Sequence, residues 1–350
     1  MGIFVSLLIL SFLIFFHELG HFSVAKLFGV KVEVFSIGFG KKLLCKFYKG
    51  TNYCLSAIPL GGYVQMKGQD DLNPSKVSHD KDSYNSKTPL QRIAILFAGP
   101  FANFLLAFFL YIAIGNIGVH KLMPEIGKVY PNSPAFQAKL QKGDKIISIN
   151  GIKIESWDEI KNIIENSRGG LDIVIRRNNK LIKKILYPDI EKTKNIFGED
   201  TKRKIIGILP LGKSYIKKYS FLESISFAYN ETLRASKFII IGIEKMIEGI
   251  VPTKDIGGVI SIVSITSQAA STGIVALLGL SALISVNLGI LNLFPIPALD
   301  GGHIMFNIYE MITKKAPNEK IYERLTYTGW VLLLTLMIFS TYNDLARIFE

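Results

Sequence analysis

The sequence predicts a polytopic α-helical membrane protein of about four spans, with a small membrane-associated β-hairpin region beside the first span and an α/β module on the far side of the bilayer. Three observations carry this. Hydrophobic residues make up 49% of the 350 residues and mean hydropathy is +0.32, too apolar for an ordinary soluble chain. Charge is clustered, which leaves four uncharged stretches long enough to cross a bilayer. Between the second and third of these, a long polar region shows the short strand runs and turn residues of a folded module.

The first span covers residues 1–30. Its leading stretch, MGIFVSLLILSFLIFF, carries no charge. No positive segment precedes it, and Ser23-Val24-Ala25 is a weak cleavage site inside a continuous helical pattern. The segment therefore reads as a retained helix rather than a signal peptide. Residues 31–68 contain FSIGFGKKLLCKFYKGTNYCLSAIPLGGYVQMKG, short alternating runs punctuated by Gly, which predict a small β-region. Apolar strands at membrane depth must pack on protein or line a cavity. Cys45 and Cys54 flank FYKGTNY and would face each other only if the turn centres on Lys49-Gly50. Two cysteines are too few for a disulfide framework, so two free thiols are expected. A zinc site built from them alone lacks ligands.

Residues 69–92 are expected to form a cytoplasmic loop, polar and mobile from Asn73 to Thr88, before the second span at 93–119. Residues 125–190 read as the compact α/β module. Strand-like EIGKVY is followed by a Pro-Asn-Ser-Pro turn and a Gly-Asp turn in QKGDKIISINGIKI. The helix SWDEIKNIIENS follows, then the strands LDIVIRR and KLIKKILYP around Asn178-Asn179. After a polar connector, residues 205–255 hold an amphipathic helix from Phe221 suited to the membrane surface. Residues 256–302 contain no Asp, Glu, Lys or Arg before Asp300. The small-residue half, GGVISIVSITSQAASTG, reads as a re-entrant or interfacial segment, and the third span follows it. The fourth span is expected at 325–343.

Lys and Arg outnumber Asp and Glu by 41 to 28, a net charge of +13. Lysines crowd the loop after the first span, and Lys314, Lys315, Lys320 and Arg324 follow the third. The positive-inside rule puts both loops in the cytoplasm, with the module and both termini extracytoplasmic. The excess also favours anionic lipid. No nucleic-acid-binding motif occurs, so nucleic acid is not an expected partner.

The uncharged run of the first span leads into HELGH. His17 and His21 lie at i and i+4 on one helical face, so both imidazoles reach one zinc ion. Glu18 lies beside the water such an ion binds, as a general base. With five His in the chain, chance would supply roughly 0.003 such motifs. Histidines bridging membrane helices are the bland alternative. Three ionisable groups in a membrane helix are costly unless paired or metal-bound, which favours the metal. A catalytic zinc needs a third protein ligand. His79 sits in a polar loop and His120 at the outer end of the second span, both poorly placed. His303 competes with Asp300, the acidic residue that ends the long uncharged stretch in NLFPIPALDGGH. Pro295 and Pro297 should break the third helix, and Gly301-Gly302 should allow a tight turn that aims Asp300 inward.

HELGH in the first span and NLFPIPALDGG in the third resemble the site-2 protease family of intramembrane zinc metalloproteases, above all the bacterial regulator-of-sigma-E protease branch. FSIGFG and IPLGGYVQMKG are similar to that family's membrane-associated β-region, FAGPFANFLLA to its second-helix signature, and the middle module to its extracytoplasmic PDZ domain. The resemblance implies Zn2+ on His17, His21 and Asp300, with Glu18 as catalytic base. It also implies that Asn287 and Asn292 hold the unwound substrate or stabilise its oxyanion. The bare residues give the asparagines a weaker case, since Asn in membrane helices commonly bonds a neighbouring helix. The implied activity is hydrolysis of peptide bonds within transmembrane segments of membrane-tethered regulators. An anti-sigma factor already cut by another protease is one example, and remnant signal peptides are another. The implied location is the bacterial cytoplasmic (inner) membrane, with the active site near the cytoplasmic side. Well-known members of this branch carry two tandem PDZ domains, whereas this chain has room for only one. A metal transporter or sensor would not need Glu18 between the histidines, and an inactive scaffold would not keep both motifs.

Overall fold

The computed structural model describes residues 2–69, 78 and 80–349. The chain divides into two compact units, one formed by residues 1–114 with 221–350 and the other by 115–220.

In the first unit, α1 (Gly2–Leu27) is 26 residues long, about 39 Å at 1.5 Å per residue, more than the roughly 30 Å of hydrocarbon a span must cross. It ends in a Schellman turn: Val30 N–H donates to the Ala25 carbonyl at 2.8 Å and Gly29 N–H to Lys26 at 3.0 Å. Gly29 supplies the φ of +68° that this turn requires.

Strands β1 (Val32–Tyr48) and β2 (Thr51–Met66) then pair antiparallel. Each is long enough to double back. Ile37 pairs with both Gly62 and Leu55, while Leu44 also pairs with Leu55. The result is a curled four-segment sheet in the order 42–48, 51–56, 32–39, 58–66. β1 bends where Gly38 and Gly40 take φ of +88° and +81°. The hairpin turn is Lys49-Gly50, both at positive φ, as a two-residue type I′ turn demands. This register sets Cys45 directly opposite Cys54, and the two form a disulfide. The expectation of two free thiols is thus corrected. Facing positions on paired antiparallel strands bring the sulfurs together without moving the backbone.

The loop before the second span also departs from expectation. Residues 70–77 and His79 lie outside the described residues. Ser83 and Tyr84, however, are buried. Lys67 pairs with Asp80 and Asp82 at 2.8 and 2.6 Å, and Tyr84 N–H donates to Lys67 O. Residues 80–88 are therefore docked rather than loose. Helix α2 (Pro89–Ile117) opens with Pro at its first position and a capping box, Thr88 N–H on Gln91 Oε1 and Gln91 N–H on Thr88 Oγ1. A small core of Ala25, Val30, Val32, Met66, Tyr84, Ile95 and Leu96 locks α1, the sheet and α2 together.

The second unit contains β3 (Val119–Leu122), β4 (Ile126–Val129), α3 (Pro134–Gln137), β5 (Lys145–Ile149), β6 (Ile152–Lys153), α4 (Trp157–Asn166), β7 (Leu171–Arg177), β8 (Lys180–Leu186), β9 (Asp189–Lys194), β10 (Asp200–Ile205), β11 (Ile208–Pro210) and β12 (Ser214–Lys217). Its main sheet has the order β6-β5-β7-β8. Ile126, Ile146, Ile149, Leu171, Ile173 and Ile175 are fully buried between sheet and helices. The unit extends beyond the 125–190 read from sequence. β11 returns to pair with β4 and β12 with β3, and Ile206 joins the core. The connector expected from residue 205 begins only with α5 (Phe221–Ile247).

The chain then re-enters the first unit. A 3-10 turn (Thr253–Asp255) leads to α6 (Val259–Thr272), α7 (Ile274–Asn292), α8 (Asp300–Thr313) and α9 (Glu319–Phe349). The 14 residues of α6 span about 21 Å, too short to cross. Asp344 of α9 holds its N-terminus by accepting from the N–H groups of Gly258 and Ser261 at 3.0 and 3.1 Å. By length and composition, Gly2–Leu27, Pro89–Ile117, Ile274–Asn292 and Lys320–Phe349 can each cross a membrane.

Candidate metal centre

Three side chains from two helices converge on one point. α1 presents His17 and His21 one turn apart, 8% and 7% exposed. Asp300 comes from the start of α8. His17 Nε2 and His21 Nε2 are 3.1 Å apart, and Asp300 Oδ2 lies 3.3 Å from the first and 3.5 Å from the second. Among the described residues, these three are the group of His, Cys, Asp or Glu placed to share a cation. A tetrahedral zinc with bonds of about 2.0–2.1 Å has ligand-to-ligand edges of about 3.3–3.4 Å. The observed triangle matches those edges, and two nitrogens with one carboxylate oxygen are the donor set zinc prefers in a site that keeps a position open.

The local fold explains how Asp300 arrives. α7 ends at Asn292, two residues before Phe294-Pro295. Tight turns follow, with Ile296 N–H on Phe294 O at 2.7 Å and Leu299 N–H on Ile296 O at 2.8 Å. Pro295 and Pro297 cannot continue a helical ladder because they lack N–H groups. Asp300 then sits in the first turn of α8, where the helix dipole favours a carboxylate. Gly301 and Gly302 act differently from the turn expected of them. Both are helical, and the reason for Gly is close approach. A Cβ on either would come within 2.3 Å of a carbonyl oxygen, of Leu293 and Phe294 for Gly301 and of Ile296 for Gly302.

Glu18 points from the same helix toward β2. A Cβ on Gly62 would meet its Cγ at 3.3 Å, and Glu18 is within electrostatic reach of His21. Asn292, the last residue of α7, places Nδ2 3.4 Å from His17 Nε2. Asn287 lies five residues earlier, about 140° around the helix, and is half-buried. His303 is not part of the cluster. Its Nδ1 bonds the Tyr322 hydroxyl at 2.9 Å, and its ring packs against Phe306. His120 lies on β3, in the other unit.

Sequence reasoning missed the contribution of α2. The Ile95 carbonyl accepts from His21 Nδ1 at 2.8 Å, and Asn103 contacts His17 Nδ1 at 3.1 Å. Gly99 gives the His21 ring its room, since a Cβ there would stand 2.2 Å from Nε2. The signal was a Gly-Pro pair and an Asn, FAGPFAN, inside an otherwise apolar span.

Apolar spans surrounding a His-His-Asp cluster are the arrangement of a membrane metalloenzyme. A family model for peptidase family M50 matches residues 5–336. The chain is 53% identical over 343 residues to Cj1068 of Campylobacter jejuni, which carries a provisional zinc-metalloprotease name; the match covers 98% of this chain and 93% of that protein. It is 42% identical over 352 residues to a similarly named protein of Helicobacter pylori, covering 98% and 99%. It is 30% identical over 421 residues to zinc metalloprotease RasP of Bacillus licheniformis, covering 98% of each. A crystal structure of the HtrA3 PDZ domain bound to a phage-derived ligand is 22% identical, covering 21% of this chain and 81% of that one at a TM-score of 0.18. The chain belongs to peptidase family M50, the site-2 proteases. It is a multi-pass membrane zinc metalloprotease whose family acts within the membrane.

Proposed function

We propose that this protease cuts transmembrane segments of membrane-tethered regulators, such as an anti-sigma factor after a first cut by another protease, or remnant signal peptides. His17, His21 and Asp300 hold the zinc, and the observation that carries this is the 3.1–3.5 Å triangle of their donor atoms. Bound there, zinc supplies Lewis acidity to water and to the scissile carbonyl. Glu18 takes the proton of the attacking water and delivers it to the leaving amide nitrogen. Asn292 donates from Nδ2 to the carbonyl oxygen as negative charge builds on it. Asn287 binds the unwound substrate backbone further along α7.

A helical substrate hides its carbonyls, so it must be held extended. The outer edge of segment 58–66, beside Glu18 and Gly62, suits strand addition. In the second unit, a cavity of about 630 Å³ lies between α4 and β11, lined among others by Trp157, Ile160, Ile164, Ile206 and Ile208. This PDZ-like module selects substrates there, by capturing a newly cut C-terminus or by excluding bulky external domains. The membrane is the bacterial cytoplasmic membrane, with the zinc near the cytoplasmic face and the module and both termini outside. The decisive experiment compares wild type with Glu18→Gln on a model transmembrane substrate. The variant should bind zinc and lose cleavage by a factor of at least ~100. Equal cleavage by zinc-loaded Glu18→Gln overturns the mechanism.

A further inference from the structure

A metal-binding imidazole must present one lone pair to the metal and carry its proton on the other nitrogen. For His21, the fold enforces this. Its Nδ1 lies 2.8 Å from the Ile95 carbonyl oxygen, which can only accept, so Nδ1 carries a proton and Nε2 is the nitrogen left for a metal. The partner of His17 is less committed. Nδ1 of His17 faces the side-chain amide of Asn103, 3.1 Å from Nδ2, while Oδ1 of that amide is buried without a hydrogen-bond partner among the described residues.

An amide offers two faces. With Nδ2 toward the ring, Nδ1 accepts and the His17 proton sits on Nε2, donating toward Asp300 Oδ2 at 3.3 Å. That tautomer cannot ligate through Nε2. With the amide turned over, Oδ1 accepts from Nδ1–H and Nε2 is free for a metal. Asn103 is fully buried, so water does not substitute for either face. Its main chain is held in place from a third helix, the Ser285 hydroxyl of α7 donating to the Asn103 carbonyl at 2.8 Å.

We infer that Asn103 is the positioning residue that sets the tautomer of His17, presenting Oδ1 to Nδ1–H so that Nε2 is free for zinc. One helix, α2, thereby orients both histidines of α1, His21 through the Ile95 carbonyl and His17 through the Asn103 amide. The inference rests on the proposed zinc site, with His17 as a ligand.

The test uses the full chain in detergent micelles, stripped of metal and titrated with zinc against a chromophoric chelator. Asn103→Ala, Asn103→Asp and wild type are compared, with the melting temperature of each metal-free protein measured alongside. Asn103→Ala should bind zinc ~10–100-fold more weakly, the usual cost of losing a ligand's outer partner, and melt near wild type without metal. Asn103→Asp, whose carboxylate offers only acceptors, should recover most of the affinity. Three results overturn the inference: zinc binding by Asn103→Ala as tight as wild type, Asn103→Asp as weak as Asn103→Ala, or metal-free unfolding of either variant, which would make Asn103 a packing residue. Wild type that binds no zinc, or His17→Ala that binds it as well as wild type, sinks the site itself and is thereby told apart.

Discussion

Gly99 is the position where one added carbon should do most damage to the zinc site without replacing any polar group. An alanine Cβ there would stand 2.2 Å from His21 Nε2, 2.5 Å from Cε1 and 2.8 Å from Cδ2. Ordinary contact begins near 3.4 Å, so the ring must retreat by about 1.2 Å. A zinc ligand tolerates about 0.2 Å. Parting the helices instead would break the 2.8 Å bond from His21 Nδ1 to Ile95. Either way His21 leaves the triangle. The expected effect of Gly99→Ala is at least a ~100-fold loss of zinc affinity, about 2.8 kcal/mol, with cleavage lost in parallel. Gly242→Ala on α5 is the control. Nothing lies within 4 Å of its Cβ position, so zinc binding should be unchanged and stability should rise by about 0.5–1 kcal/mol from helix propensity alone. Zinc titration of the detergent-solubilised protein and cleavage of a transmembrane substrate read both variants. Wild-type zinc affinity in Gly99→Ala would refute the claim that His21 is held against this glycine as a ligand.

Two further outcomes follow from the geometry. Gly301→Ala would push a Cβ to within 2.3 Å of the Leu293 and Phe294 carbonyl oxygens, displacing Asp300, so zinc content should fall while the helical circular dichroism stays; full zinc occupancy in that variant would argue that Asp300 is not a ligand. In the second unit, Asp144 is 1% exposed and paired with Arg177 at 2.6 and 2.7 Å. Arg177→Ala should destabilise that unit by about 1.5–3 kcal/mol, since Asp144 keeps the Gln141 N–H at 2.8 Å; this reads as faster hydrogen exchange across β5 and β7 with zinc binding intact, and unchanged exchange would mean the buried carboxylate is satisfied without the guanidinium.

The parts of this protein that local spacing encodes were legible in its sequence. HELGH brings His17 and His21 together because i and i+4 share a helix face in any helix, whatever surrounds it. Asp300 was legible because an acid at the end of so long an uncharged run has few structural uses. The Cys45–Cys54 bond was not. It depends on a turn centred at Lys49-Gly50, and a one-residue slip would have turned the cysteines to opposite faces. The end of the second unit was missed because β11 and β12 complete it by pairing with strands some 80 to 100 residues earlier, which no window of sequence reports.

The outer support of the histidines lies at the far end of that scale. Asn103, Gly99 and the Ile95 carbonyl matter only because α1 and α2 touch almost backbone to backbone, where a Cβ on Gly20 would come within 2.2 Å of the Ala98 oxygen. Such contact needs glycine on both helices, since without a hydrophobic drive between spans it is close packing and hydrogen bonding that hold membrane helices together. Pro100 adds to this by denying the Leu96 carbonyl its usual N–H partner within α2. A span with a glycine, a proline and a buried asparagine within five residues gives up helix stability that a mere lipid anchor would keep. The arrangement makes sense only if α2 is built to hold the imidazoles of its neighbour, and that is the link between its sequence and the chemistry of a site it does not itself ligate.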